Sequence, residues 1–272
     1  MTLFVRRKVF IKISFLLLAV LLWCNAAAQV SADSSRIVRV LTFNILHGAT
    51  MKGNFDLDTI AKVIKSVNPD LVALQEVDFY TNRAKKMDLA AELGLRTGLA
   101  PIFGQAMPYD GGGYGEGVLS AYTFFSTQNH ALSARQGKEP RAALEVNVIL
   151  ASGDTIRFIG THLDHTKDET DRINQAYQLN QLFTKDNRPA ILAGDLNARP
   201  ESKTMEILYK QWTKSFTEDI PTAPSVNPKA KIDYILFRPA NRWRVLETRV
   251  IDEKVASDHR PVLSVLELLP EK

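Results

Sequence analysis

The sequence predicts an α/β fold of mixed β-sheets covered by helices. Three observations point there: strand-like and helix-like segments alternate near the start, hairpin signals cluster in the middle, and no long linker, low-complexity tract or repeat interrupts residues 31–269. The chain has 272 residues, 45% of them hydrophobic and 24% charged, which is enough for one large core.

Residues 37–46 read as a strand, because Val38, Val40, Leu41, Phe43 and Ile45 are mostly β-favouring. Residues 56–67 read as a helix. Leu57, Ile60, Ala61, Val63 and Ile64 make one apolar stripe, Asp56 or Asp58 offers a cap, and Pro69 ends it. A short buried strand comes next, at 71–74. Further strands are expected at 117–125, 143–150, 156–161, 190–193, 232–237, 244–251 and 262–266, and helices at 85–93, 168–183 and 202–209. Ser152-Gly153-Asp154 marks a hairpin turn. The cluster Gly111-Gly112-Gly113-Tyr114-Gly115 is too irregular for a dinucleotide or P-loop fingerprint and reads as a flexible loop beside a site.

The N-terminus has a separate logic. Arg6, Arg7, Lys8 and Lys12 lead into the largely apolar residues 13–23, and Ala26-Ala27-Ala28 offers a small-x-small cleavage site. A bilayer span needs about 20 residues, so a cleaved signal peptide is expected rather than an anchor. Residues 1–28 are then the leader and 29–272 the catalytic domain, exported to the periplasm or secreted. Cleavage near Ala28 removes Cys24, the one cysteine, so the exported chain is stabilised by core burial without disulfides. It also removes the four basic residues and takes the formal charge from +4 to 0. A neutral protein lacks the positive field that drives non-specific duplex binding, which lowers the case for a nucleic-acid substrate without excluding it.

Five polar signatures sit in or beside apolar strands. Asn44 lies inside Leu41-Thr42-Phe43-Asn44-Ile45, and Gln75-Glu76 follows Leu74. Thr161-His162-Leu163-Asp164 follows Ile159, Asp195 and Asn197 follow Gly194, and Ser257-Asp258-His259 precedes Val262. A carboxylate at the end of a buried strand is costly unless a cation, donor or metal compensates it. Singly, each has a structural reading: a turn for Asn44 or for Gly194 to Asn197, an ion pair of Glu76 with Arg83 or Lys85, a core histidine, a cap at Asp258. All must hold at once to defeat a functional reading.

Phosphate-ester hydrolysis explains the residue types. It needs an in-line water, neutralised non-bridging oxygens and a stabilised leaving oxygen. Asn44, Glu76 and Asp258 are oxygen donors suited to a hard cation such as Mg2+, with Mn2+ or Ca2+ as substitutes. Asp195 can orient or deprotonate the water, Asn197 can fix it or the phosphate, and histidines can move protons. Asp233 is the natural carboxylate behind His259.

These segments, together with Gly160-Thr161-His162-Leu163, Ile232-Asp233-Tyr234-Ile235 and Ser257-Asp258-His259-Arg260-Pro261, resemble the endonuclease/exonuclease/phosphatase superfamily. That superfamily includes deoxyribonuclease I, apurinic endonucleases, inositol polyphosphate 5-phosphatases and neutral sphingomyelinases. The resemblance implies a four-layer α/β sandwich, two mixed β-sheets packed face to face with helices outside. It also implies Glu76 as principal metal ligand with Asn44 and Asp258 close by, and Asp195 and Asn197 on the water and phosphate. His259 would pair with Asp233, His162 would be a second histidine, and Arg141 would bind phosphate. Glu116 stands where many members have asparagine; it would orient His162, as in the deoxyribonuclease branch, or be a solvated loop residue.

Competing classes fare worse. A catalytically inactive binding module of the same fold would lose the histidines or the Asp-x-Asn pair, and both are intact. Thr161-His162-Leu163-Asp164-His165 matches half of a His-x-His-x-Asp-His zinc motif, with Gly160 where the first histidine belongs. The expected substrate is a small or lipid-linked phosphodiester such as a phospholipid headgroup. A secreted DNA endonuclease is the alternative, with Lys138, Arg141, Arg199 and Lys203 as a local basic rim. Trp212 and Phe216 are expected in the core, and the protein is expected to be a monomer without a stable protein partner.

Overall fold

Alternation along the strands sorts the side chains of this chain into three apolar layers. The computed structural model describes residues 33–271, and the leader expected at 1–28 lies outside them. Strands β1 (Ile37–Asn44), β2 (Leu71–Phe79), β3 (Ala100–Tyr109), β4 (Gly112–Ser120), β11 (Trp243–Val250) and β12 (Val262–Leu268) form a six-stranded sheet ordered β11-β12-β1-β2-β4-β3. Strands β5 (Phe124–Leu132), β6 (Arg141–Ile149), β7 (Thr155–His162), β8 (Ala190–Asp195), β9 (Thr213–Lys214) and β10 (Asp233–Arg238) form the second, ordered β5-β6-β7-β8-β10-β9. One pair in each sheet is parallel, β1 with β2 and β7 with β8; the other neighbours are antiparallel.

Val38, Val40, Ala73 and Val118 of the first sheet meet Val146, Phe158, Ile191, Ala193 and Ile235 of the second. On the outer face of the first sheet, Leu41, Phe43, Val72 and Leu74 pack under helices α1 (Leu57–Ser66) and α2 (Leu89–Thr97). On the outer face of the second, Ile159, Leu192 and Tyr234 pack under α3 (Thr170–Phe183) and α4 (Lys203–Tyr209), with Trp212 and Phe216 in the same layer. The result is the expected four-layer α/β sandwich. Each large apolar side chain buried this way contributes about 1.5–3 kcal/mol. The helices start where the sequence offers an acceptor: Asp56 caps α1 through Thr59 N (3.0 Å), and Asp88 caps α2 through Ala91 N (3.0 Å).

Three expectations need correction. The strand expected at 117–125 is two elements, since β4 ends at Ser120 and β5 begins at Phe124 in the other sheet. The helix expected from 85 starts at Leu89, because Lys85 and Lys86 have positive φ and Asp88 supplies the N-cap. The glycine cluster is not a flexible loop. Asp110 (φ 46°) and Gly111 (φ 75°) form the tight turn between β3 and β4, and the next glycines are strand residues. A Cβ on Gly112 would lie 2.2 Å from the Phe79 carbonyl oxygen, and one on Gly115 2.1 Å from that of Gly104. Close backbone approach, not mobility, calls for glycine there.

Candidate active site

The inner faces of the central strands run apolar and then turn polar at one end of the sandwich. On β1 the series is Val38, Val40, Thr42, Asn44; on β8 it is Ile191, Ala193, Asp195; on β7 it ends in His162. Strand β10 runs the other way, so its first residue, Asp233, pairs with Asp195. Strand β12 is antiparallel to β1, which brings Val262, and the 257–259 segment before it, to the same end. Ser257 pins that segment by donating its hydroxyl to the Asn44 carbonyl oxygen (2.6 Å).

Glu76 reaches the site by a different device. The β2–β4 register shifts between Leu74 and Val77, and Glu76 has φ 58°. A bulge with a left-handed, non-glycine residue re-aims one side chain at a backbone cost of about 1–3 kcal/mol. The carboxylate so placed accepts from Asn44 Nδ2 at Oε1 (3.0 Å) and lies 3.6 Å from His47 Nδ1 through Oε2. Burial alone would raise its pKa, but His47, His162, Asn44 and His259 together lower it to about 2. Glu76 is therefore ionised at any working pH.

The cleft has a volume of about 300 Å³ and is lined by Glu76, Tyr114, Glu139, Arg141, His162, His165, Asp195, Asn197 and His259. Asp195 is buried: Oδ1 accepts from Asn197 N (2.9 Å) and Oδ2 from Asn44 Nδ2 (3.3 Å). Burial raises its pKa to about 7; His259 opposes that shift and the nearby Asp233 adds to it. His259 Nδ1 stands 3.0 and 3.1 Å from the two Asp233 oxygens and 3.7 Å from Asp195 Oδ2. Burial would lower His259, but Asp233 and then Asp195 raise it to about 11, so the ring carries a proton on each nitrogen at neutral pH. His162 is the opposite case: burial and the Arg141 charge hold it well below the usual histidine range. Arg141 meets His162 Nδ1 and His165 Nδ1 at 3.1 Å each. A guanidinium only donates, so the His162 Nδ1 accepts and that ring is neutral. The Asn197 amide faces His162 Nε2 at 2.9 Å.

Of the ten residues expected from sequence, Glu76, Arg141, His162, Asp195, Asn197 and His259 line the cleft. Asn44 is fully buried behind it: Oδ1 accepts from Leu46 N (3.1 Å), and the amide nitrogen bridges Glu76 and Asp195. Asp233 backs His259, as the sequence implied. Asp258 is half-buried, accepts from Ser257 Oγ (3.3 Å) and is not part of the lining. Glu116 fits neither expectation. It is fully buried on β4, its Oε2 has no partner, and Arg141 holds the His162 nitrogen it was expected to orient. Burial pushes its carboxyl well above the usual range, so it stays protonated. Arg83 pairs with Asp78, not with Glu76. Sequence reasoning missed Tyr114 and Glu139 as cleft residues, while His165, expected as a loop residue near the pocket, lines it. Tyr114 shares the inner-face alternation of Glu116 and Val118 on β4, a signal readable only once that strand is recognised.

The chemistry of the donor set fits a hard divalent cation. Glu76 and Asp195 both reach the Asn44 amide nitrogen, so two carboxylates converge on one edge of the cleft. Asp195, Asp233 and His259 also present ligand atoms within 4.8 Å of one another, a group that can share a metal ion when His259 is deprotonated.

The model of the Endonuclease/Exonuclease/phosphatase family matches residues 41–259, which contain every site residue above. An uncharacterized protein of Caenorhabditis elegans is 29% identical over 209 residues, covering 77% of this chain; the chain spans 58% of that relative's length. An endonuclease/exonuclease/phosphatase structure from Beutenbergia cavernae superposes with a TM-score of 0.71 at 22% identity, over 86% of this chain and 72% of the other. The mannosyl-6-phosphatase of Bacteroides thetaiotaomicron gives 0.69 at 18% identity, over 84% and 99%. The catalytic domain of human Nocturnin, with a bound sulfate anion, gives 0.69 at 19% identity, over 88% and 96%. The chain belongs to the endonuclease/exonuclease/phosphatase family of phosphoesterases and nucleases.

Proposed function

We propose that the protein is a Mg2+-dependent phosphoesterase, of the phosphodiesterase kind, that works outside the cytoplasm. One observation carries the reading: an ionised Glu76, a buried Asp195 fixed by two donors, a protonated His259 and a neutral His162 beside the charged Arg141 share a single cleft. Glu76 and Asp195 would hold the cation, which supplies charge neutralisation to the phosphate and its leaving oxygen.

The remaining chemistry belongs to the side chains. Asn197 N and Asn44 Nδ2 fix the Asp195 carboxylate, which is placed to orient the attacking water and accept its proton. His259, held by Asp233, donates Nε2–H to a non-bridging phosphate oxygen and stabilises the charge that grows there. Arg141 contacts the phosphate from the other wall, with the neutral His162 and with His165 beside it. A phosphate-shaped sulfate bound to Nocturnin and a sugar phosphatase among the similar structures support a phosphate ester as substrate.

Purified protein tested on plasmid DNA, sphingomyelin, phosphoinositides, sugar phosphates and p-nitrophenyl esters should show EDTA-sensitive hydrolysis of at least one. Asp195→Ala and His259→Ala should each lose about 10²–10⁴-fold in rate. No hydrolysis across the panel would refute the assignment. Export rests on the basic and apolar pattern of residues 1–28. N-terminal sequencing of protein recovered outside the cytoplasm should start at or near Gln29.

A further inference from the structure

A ladder of aromatic and cationic groups leads out of the cleft. Tyr114 lines it, Tyr109 stands 5.9 Å from Tyr114, and the Arg83 guanidinium lies 4.5 Å from the Tyr109 ring centre and 5.6 Å from that of Tyr114. Tyr114 is buried, whereas 39% of the Tyr109 surface is open to solvent. Arg83 and Tyr109 thus stand on the rim of the cleft.

The ladder is rigid. Arg83 makes a two-pronged bond to the fully buried Asp78, Nε to Oδ2 at 2.7 Å and Nη2 to Oδ1 at 2.8 Å. Its backbone N–H and the Asn82 side chain both donate to the Asp110 carboxylate at the β3–β4 turn (2.7 and 3.1 Å). Lys86 Nζ donates to the Gly111 carbonyl oxygen (3.1 Å). With both plane and position of the guanidinium fixed, Arg83 cannot swing down to a phosphate in the cleft. It holds Tyr109 in place, and little side-chain entropy is lost when a ligand stacks there.

We propose that Tyr109 and Arg83 form a subsite for a flat, ring-bearing group, a nucleobase, attached to the phosphate held in the cleft; this rests on reading the cleft as a phosphoester site. Two features favour a base over an alkyl chain. The open wall is the planar Tyr109 ring, backed by the Arg83 guanidinium, and the neighbouring Asn82 and Asp110, bonded to one another, make its surroundings polar rather than an apolar groove. Lys85 and Lys86 on the same loop add positive charge that favours approach of an anionic nucleotide.

AMP and ribose 5-phosphate differ by the base alone, which makes them the probes. Calorimetry with Mg2+ on the wild-type protein should show AMP binding at least about tenfold more tightly than ribose 5-phosphate. Tyr109→Ala should erase that advantage, while Tyr109→Phe keeps it. Equal affinity for the two probes, or an advantage that survives Tyr109→Ala, overturns the subsite. If inorganic phosphate and both probes fail to bind, the phosphoester reading falls with it; if phosphate binds and the base adds nothing, the subsite alone falls.

Discussion

Replacing Asp195 by asparagine should make the metal-free protein more stable and inactive at once. The carboxyl is fully buried, and its pKa rises from 3.8 to about 7. Between those values the unfolded chain has released the proton while the folded one keeps it. The unfolded state then binds fewer protons, so unfolding becomes easier as pH rises, levelling off above about 7. The gap corresponds to about 4 kcal/mol lost at pH 8, the larger part of it between pH 5 and pH 8. Asparagine has no such proton to hold. Asp195→Asn should therefore gain about 2–3 kcal/mol relative to wild type on moving from pH 5 to pH 8. At about 2–4 °C per kcal/mol for a domain of this size, the melting-point difference should widen by several degrees. Thermal unfolding in EDTA at both pH values measures it. A difference independent of pH, or a variant less stable at pH 8, would show that Asp195 is not a carboxylate under strain.

The same linkage governs the cation. Mg2+ binding should release close to one proton below pH 7 and weaken about tenfold per pH unit there, as Asp195 becomes protonated; calorimetry in buffers of different ionisation enthalpy reads both. His259 makes the opposite kind of contribution. Its folded pKa is raised to about 11, so the Asp233 pair stabilises fully below the ordinary histidine value of 6.5 and loses its effect as pH climbs through 11. Asp233→Asn should drop the His259 pKa by several units, visible in the pH titration of its ring NMR signals, and cost about 10²–10⁴-fold in rate. Away from the site, Gly112→Ala places a methyl 2.2 Å from the Phe79 carbonyl oxygen, and should destabilise by about 1–3 kcal/mol in urea unfolding without changing the metal requirement.

How much of this was legible in the sequence depended on burial. The central strands β1, β2, β7, β8 and β10 are buried on both sides and write apolar runs into the sequence, so they were readable, as was the polar residue ending each run. The three missed strands, β3, β5 and the two-residue β9, are all sheet edges. Strand β3 carries Pro101, Gly104 and Pro108, which an edge tolerates and a sequence reading counts against a strand. Strand β5 is mostly exposed and therefore polar. Missing β3 also hid the Asp110-Gly111 turn, and with it the alternation that puts Tyr114 in the cleft. Asn44, Glu116 and Arg141 were found but given partners that only three-dimensional contacts decide. The Asn44 amide nitrogen bridges Glu76 and Asp195, and Arg141 rather than Glu116 contacts the His162 ring.

The two sheets contribute unlike walls. The first brings Glu76, aimed by a strained bulge, with Asn44 behind it; the second brings Arg141, His162, Asp195, Asn197 and Asp233. Asn44 Nδ2 is the contact that crosses from one wall to the other, touching Glu76 and Asp195 together. Asp195, stripped of water, opposes folding once it is ionised, whereas the donors around Glu76 stabilise its charge. An apolar filling of the same space would be the more stable solution. A cation entering between the walls would remove the cost of ionising the buried Asp195, so the contact that weakens the empty fold at high pH would favour the occupied one.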